Sequence, residues 1–389
     1  METELPAERV FEKMVELRRA FHREPELAFE EEKTAASIIA ELKRLGVPYE
    51  YGGVGTGIIG RLVGNSHGPI IALRADMDAL PGAENTDLPF TSRYADRMHA
   101  CGHDAHMAMV LGACALLVEH PPAGTVLFVF QPAEERGGGS RVILASGALD
   151  HAAAIFGGHV THHYQVGQMM ISKGIITAQS DRFAIRVRGS GGHGARPHEA
   201  IDAVVISGLL VAIIQTIVSR YVNPIHPSVV TIGLMKAGTA ANVIAEEAQL
   251  EGSIRSTVPD VRARLHEGLR RICDSLAVLF GAEVTLDITA GYPPVVNPPR
   301  EAKVAKRAAR RILGPEGLIP LEHPSMGSED FSFYLQKIPG CYVRFGARGP
   351  EQKYVPLHSP AFDINERVLV VGASFFDAVV REAMREYAP

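Results

Sequence analysis

TVLFVFQPAEE, residues Thr125–Glu135, is the stretch from which the fold is read. Its apolar run does not alternate with polar residues. That pattern suits a short strand buried on both faces, the kind found in parallel sheets. Two adjacent carboxylates, Glu134 and Glu135, follow within a few residues. Open α/β sheets hold their ligands beyond the C-terminal ends of their strands. The carboxylates therefore stand where chemistry is expected.

Working outward, helices and strands alternate on both sides of this run. Residues 6–21 and 30–45 carry helical periodicity, and residues 104–119 read as an apolar helix. Gly57–Val63, Pro69–Arg74 and Ala153–Val160 read as further strands. The alternation predicts an α/β domain. The texture changes near residue 181. A strand ending in FAIRVRGSGGHGARPH leads into an apolar helix at about 200–220, then strands near 228–235 and 247–256. A charged helix at 259–280 and a strand near 283–289 complete the segment. This β-α-β-β-α-β order is that of a ferredoxin-like unit. GYPPVVNPP, 291–299, reads as a proline-rich linker. The expected division is a main domain of residues 1–180 plus 295–389, with a satellite of residues 181–294 between them.

Composition narrows the function classes. The 389 residues are 46% hydrophobic and 21% charged, which is ordinary for a globular chain. A net charge of −5 with no basic run argues against a nucleic-acid partner. No apolar stretch of about 18 residues is read in the chain, so no segment is expected to span a membrane and no membrane partner is expected. The opening METELPAERVFEKMVELRRA has no apolar core of an export leader. The cysteines, Cys101, Cys114, Cys273 and Cys341, are too scattered for a disulfide framework. A reducing, cytoplasmic setting follows as the expectation, and there a thiol can serve as a ligand.

MHACGHDAH, Met98–His106, concentrates one cysteine, three histidines and an aspartate in nine residues. Cys101, Glu135, His159 and His358 each sit at or just after an apolar segment, in what read as loops. Parallel strands would gather those loops on one rim. Cys101, His103, Glu135, His159 and His358 together are too many donors for one tetrahedral ion, but they suit two ions sharing a bridging group. Thiolate and imidazole favour zinc, manganese, cobalt or nickel over magnesium or calcium. Taken singly, an EE pair or a lone histidine is more often structural; CGHDAH and the shared position after apolar runs lift the set. Of the neighbouring Glu134 and Glu135, one can bind metal while the other takes a proton from a nearby water. Cys114 reads as core packing, and His22, His162 and His163 have no partner legible in the sequence.

ADMDALP, MHACGHDAH, QPAEE, GGHGARPH, NVI, GSIRS and LHSPAFD occur in an order similar to that of the aminoacylase, hippurate hydrolase and glutamate-carboxypeptidase group of metallopeptidases. Within it the chain resembles the N-acyl-amino-acid amidohydrolase branch, over nearly its whole length. The resemblance implies a mixed-sheet α/β catalytic domain of zinc-exopeptidase type with an inserted ferredoxin-like α+β satellite. It implies a dinuclear centre of two divalent ions bridged by Cys101. His103 and His159 would complete one site; Glu135 and His358 would complete the other. Where the wider group has an H-x-D motif, this chain reads Asp76-Met77-Asp78. His103 would replace the missing histidine, and Asp78 would orient the site. Glu134 would be the general base and later the proton donor.

In the satellite, His193 would polarise the scissile carbonyl, often from a neighbouring subunit, and His198 is a second candidate. Asn242 and Arg255 would hold the substrate's carbonyl oxygen or carboxylate; a guanidinium binds two oxygens at once. A homodimer or homotetramer is expected. The substrate implied is a small N-acyl amino acid, cut at its amide bond, with a dipeptidase or carboxypeptidase as the rival reading. Ala245 after NVI, Asp96 before MHACGHD, and Met107 depart from the usual pattern without touching a proposed ligand. Two further readings are a cysteine nucleophile at Cys101 and a non-catalytic binding protein. The first leaves Glu134, Glu135 and His358 without a role; the second would show the loss of a ligand or base.

Overall fold

The computed structural model describes residues 5–53 and 55–388. The first residues of the stretch read as lacking an export leader, 1–4, lie outside the described residues. The chain forms two compact units. The first comprises residues 1–176, Val296–Glu322 and 330–389, and the second Thr177–Val295 and His323–Glu329. The sequence places the joints at 180 and 295. The structure puts the first joint four residues earlier and adds the short segment His323–Glu329 to the second unit.

In the first unit, α1 (Phe11–Arg23) and α2 (Glu32–Arg44) precede β1 (Ile58–Val63) and β2 (Ile70–Asp76). Helix α3 (His103–Glu119), β3 (Thr125–Gln131) and β4 (Ala152–Gln165) follow. Strand β3 is buried from Val126 to Gln131, as its unbroken apolar run predicts. It pairs in parallel with β2, with Asp76 opposite Gln131, and antiparallel with β1. Strand β2 also pairs in parallel with β4.

The second unit starts from β5 (Gln179–Arg188), whose alternation buries Phe183, Ile185 and Val187 and exposes Arg182, Arg186 and Arg188. Helix α4 (Ala203–Thr216) begins where the Asp202 carboxylate accepts the N–H groups of Val204 and Val205. Strands β6 (Ser228–Ala237) and β7 (Glu247–Ser256), α5 (Pro259–Phe280) and β8 (Glu283–Ala290) complete it. The antiparallel sheet has the order β6-β7-β5-β8, which is the ferredoxin-like arrangement. One expectation needs correcting. Residues Ala203–Tyr221 form a continuous helical run long and apolar enough for a membrane crossing by length and composition. One face of it packs in this unit's own core, through Ile206, Leu210 and Ile214.

Residues 291–299 are not a free linker: Val296–Asn297 pairs antiparallel with Gly174–Ile175. The chain then completes the first unit with α6 (Pro299–Leu313), β9 (Gly340–Arg348) and α7 (Val368–Glu386). Strand β9 lies parallel to β4, with Arg344 opposite His159. Four central strands, in the order β3-β2-β4-β9, therefore point the same way within a mixed eight-stranded sheet. Helix α3 packs on α1, α7 and the sheet, and nearly all of it is buried. A β-carbon at Gly112 would stand 2.2 Å from Met14 Sδ, so the α1–α3 crossing needs a glycine there.

Candidate metal centre

The parallel strands aim their C-terminal ends at one rim, and the side chains singled out in the first unit meet there. Strand β2 ends at Asp76 and leads to Asp78; β3 ends at Gln131 and leads to Glu134 and Glu135. His358 comes from the loop after β9. Its backbone is left-handed (φ 66°), and its N–H is held by Ala100 O at 2.8 Å. Two placements differ from expectation. His159 lies inside β4, which continues to Gln165, rather than at a strand end. His103 is the first residue of α3 rather than a loop residue. The strand runs on because β9 pairs with it beyond His159.

Cys101 Sγ lies 3.2 Å from His159 Nε2 and 3.4 Å from His358 Nε2. His358 Nε2 is 3.2 Å from Glu135 Oε1. Cys101, His103 and His159 place one donor atom each within 4.8 Å of one another, and so do Cys101, Glu135 and His358. The two triads share one sulfur. Metal–nitrogen and metal–sulfur bonds of about 2.0–2.3 Å give tetrahedral donor–donor edges of roughly 3.5 Å. The spacing fits two ions on a common thiolate.

The hydrogen bonds behind the donors set their lone pairs. His103 Nδ1 donates to Asp78 O at 2.7 Å, and His159 Nδ1 donates to Val160 O at 2.7 Å. Nε2 is then the nitrogen that each ring offers to the centre, and His103 would give up its Nε2 proton to an ion there. His103 Nε2 is buried without a hydrogen-bond partner among the described residues, which is the state of a ligand atom facing an ion. Asp78 splits its carboxylate between two successive amides: Glu134 N–H at 3.0 Å and Glu135 N–H at 2.9 Å. It thereby orients the backbone from which both glutamates project.

The electrostatics point the same way. Burial pushes the Cys101 thiol well above its ordinary range, and the Glu135 and Glu134 carboxylates add to the rise. Burial opposes charge on His103, yet Asp76 and Asp78 raise its pKa to about 10. Burial drives His159 well below its usual value, leaving the neutral imidazole a metal requires. Carboxylates dominate the local field, and a cation is what such a field favours. The same field disfavours a thiolate at Cys101 unless a cation is bound beside it.

The second unit brings two of its candidates side by side. A two-stranded ribbon pairs His193 with Val243, next to Asn242, whose carbonyl accepts the Gly194 N–H at 2.9 Å. His193 is exposed, and its Nδ1 accepts the Ala195 N–H. Arg255 is half-buried on β7 and donates to Met326 O at 3.0 Å. His198 is exposed beside Glu199, 3.7 Å away, and is joined to none of these by a hydrogen bond.

Sequence reasoning gave no role to several residues around the centre. His106 bonds Asp76 Oδ1 through Nδ1 and accepts the Val160 N–H through Nε2. Arg74 is fully buried and bridges Asp76 to Asp330. His22 is buried between Asp104 and Glu84. Spacing offered a signal only for His106, one helical turn after His103.

Residues 72–382 match the model of peptidase family M20/M25/M40. The chain is 38% identical to thermostable carboxypeptidase 1 of Saccharolobus solfataricus, over 92% of each protein. It is 37% identical to the N-acetylcysteine deacetylase of Bacillus subtilis, over 94% of this chain and 95% of that one. Among solved structures, the Bacillus subtilis YXEP protein, described as a dinuclear metal binding peptidase, superposes with a TM-score of 0.83 at 32% identity. That match covers 97% of this chain and 99% of the other.

Proposed function

The chain belongs to peptidase family M20/M25/M40, and from that premise we propose that it hydrolyses the amide bond of N-acyl-L-amino acids at a dinuclear metal site. It is a hydrolase with amidohydrolase and peptidase relatives. The observation that carries the finer reading is the pair of donor triads sharing Cys101 Sγ, with Glu134 beside Glu135 at their edge. Cys101, His103 and His159 would hold one ion; Cys101, Glu135 and His358 would hold the other. The donor set suits zinc, manganese, cobalt or nickel. When bound, such ions polarise a carbonyl and lower the pKa of water toward about 7.

The chain's own residues supply the rest. Glu134 takes the proton of the attacking water and returns it to the leaving amine. Asp78 keeps its carboxylate on the backbone of Glu134 and Glu135, so the base holds its position while it changes charge. His193 is assigned to the developing oxyanion, with His198 the second candidate for that task, and Asn242 and Arg255 to the substrate's carbonyl oxygen or carboxylate. Removing one donor to an oxyanion costs about 100- to 1000-fold in rate.

Elemental analysis combined with a panel of N-acetyl-, N-benzoyl- and aminoacyl-amino acids tests the reading. Two divalent ions per chain and a preference for acyl substrates are expected. Fewer than one ion per chain, with turnover unaffected by chelators, would refute it. The carboxypeptidase relative supports a second reading, peptide cleavage at the same centre, and a preference for the aminoacyl substrates would select it.

A further inference from the structure

A short segment outside every motif discussed so far reaches both loops that carry the reacting groups. It runs from Glu26 to Glu31. Glu26 O accepts the Ala79 N–H at 2.8 Å, and Leu27 forms a β-bridge with Ala79, one residue after Asp78. The Phe29 ring lies where a β-carbon on Gly137 would stand, 2.5 Å from its edge. Glu31 is fully buried; its Oε2 accepts the Thr56 hydroxyl at 2.6 Å, and its Oε1 accepts the Ala133 N–H at 2.9 Å.

Ala133 immediately precedes Glu134 and holds a left-handed backbone, φ 53°. A residue with a β-carbon stays there only when its surroundings fix it. Its N–H is held by Glu31, and the next two, of Glu134 and Glu135, by Asp78. Three consecutive amides thus end on two carboxylates from distant parts of the chain. The turn they define carries Glu134 and Glu135 to the centre, where each brings a carboxylate oxygen within 4.8 Å of the other and of a His103 ring nitrogen.

We infer that Glu31 is a positioning residue: by holding the Ala133 amide it fixes the turn from which Glu134 and Glu135 project. This rests on the reading of Glu134 as the base. Among the described residues Glu31 bonds to none of the proposed metal donors, and it reaches Glu134 through the Ala133 backbone amide. A glutamine at 31 still offers an oxygen to the Ala133 N–H; an alanine does not.

The test uses the full-length enzyme loaded with manganese or zinc, with metal content, kcat, KM and amide exchange in the 131–138 peptide measured for each variant. Glu31→Ala should lower kcat about 100-fold, the scale of a misplaced catalytic group. Its KM and metal content should stay at wild-type values, and exchange in the peptide should quicken. Glu31→Gln should recover most of kcat. Wild-type kcat and exchange in Glu31→Ala would overturn the inference, as would Glu31→Gln equally impaired. Should Glu31→Ala fail to fold, Thr56→Val, which removes the other tether of Glu31, should still reduce kcat at unchanged KM; wild-type kcat there would overturn it. Glu134→Gln separates the two readings. If it turns over, the base assignment fails; if it is inactive while Glu31→Ala and Thr56→Val match wild type, only the positioning role fails.

Discussion

Cys101 belongs to both donor triads, so its loss has a different signature from that of its neighbours. Cys101→Ala is expected to bring bound metal from two ions per chain to one or fewer, read by elemental analysis; two ions retained would remove the bridge. Glu134→Gln should leave metal content intact and lower kcat by about 100- to 10,000-fold, the range of a general base; steady-state kinetics on the metal-loaded protein check it. Both expectations come from side chains visible in the sequence, because thiol, imidazole and paired carboxylates after apolar runs form a chemical pattern. Glu31 and Arg74 were not visible in that way. They act through backbone amides and buried ion pairs across long separations, and no local spacing marks such contacts. His22 shows the same limit: its partners Glu84 and Asp104 lie on segments that only the folded chain brings to it.

The start of α3 carries two of the five proposed metal donors, since Cys101 and His103 flank its entry at Gly102. Gly102 has φ +88°, and a β-carbon there would meet Val160 Cγ2 at 2.3 Å. Gly102→Ala should therefore cost about 1–3 kcal/mol in chemical denaturation and reduce metal content, because the move shifts two donors at once. The next residue but one anchors the helix: buried Asp104 binds Arg18 and His22 of α1 at 2.8 Å each. Burial raises the carboxyl's pKa, but Arg18 and His22 outweigh it and hold Asp104 well below its ordinary range. A depressed acid stabilises the fold above its unfolded pKa, near 3.9, and that contribution is lost as pH falls through the folded value. Asp104→Asn should cost about 1–3 kcal/mol at neutral pH, because it removes a charged hydrogen-bond partner of buried Arg18 and His22, while Arg18 keeps Asp363 and Glu366. It should also flatten the loss of stability on the acid side of pH 4; an unchanged slope in acid titration would count against the pair. At this scale most of the architecture was legible: β3 from its unbroken apolar run, β5 as the strand before a Gly-rich loop, and the ferredoxin-like order from the sequence of elements. The continuation of β4 past His159 was not, because THHYQ carries no apolar signal and is held in the sheet by β9.

Whole-molecule behaviour turns on α4. From Ala203 to Val218 the chain carries no charge, yet Val204, Val205, Gly208, Leu209 and Ala212 are exposed. The adjoining strand β6 is a sheet edge that leaves Val229 and Met235 uncovered. Apolar stripes and bare edges on folded domains are normally covered by a partner. A second copy suits this one, since the helix carries no charge to repel its own image, antiparallel edges pair about a two-fold axis, and Gly208 with Ala212 allow close helix approach. A homodimer through this face would also let His193 of one chain serve the centre of another, as the family resemblance implies. Leu209→Lys should then shift the protein to monomer in light scattering or sedimentation. Metal content should hold while kcat falls by the 100- to 1000-fold expected for a lost oxyanion donor. A Leu209→Lys protein that remains oligomeric would place the interface elsewhere. A monomer with full kcat would keep the interface and return His193 to its own chain.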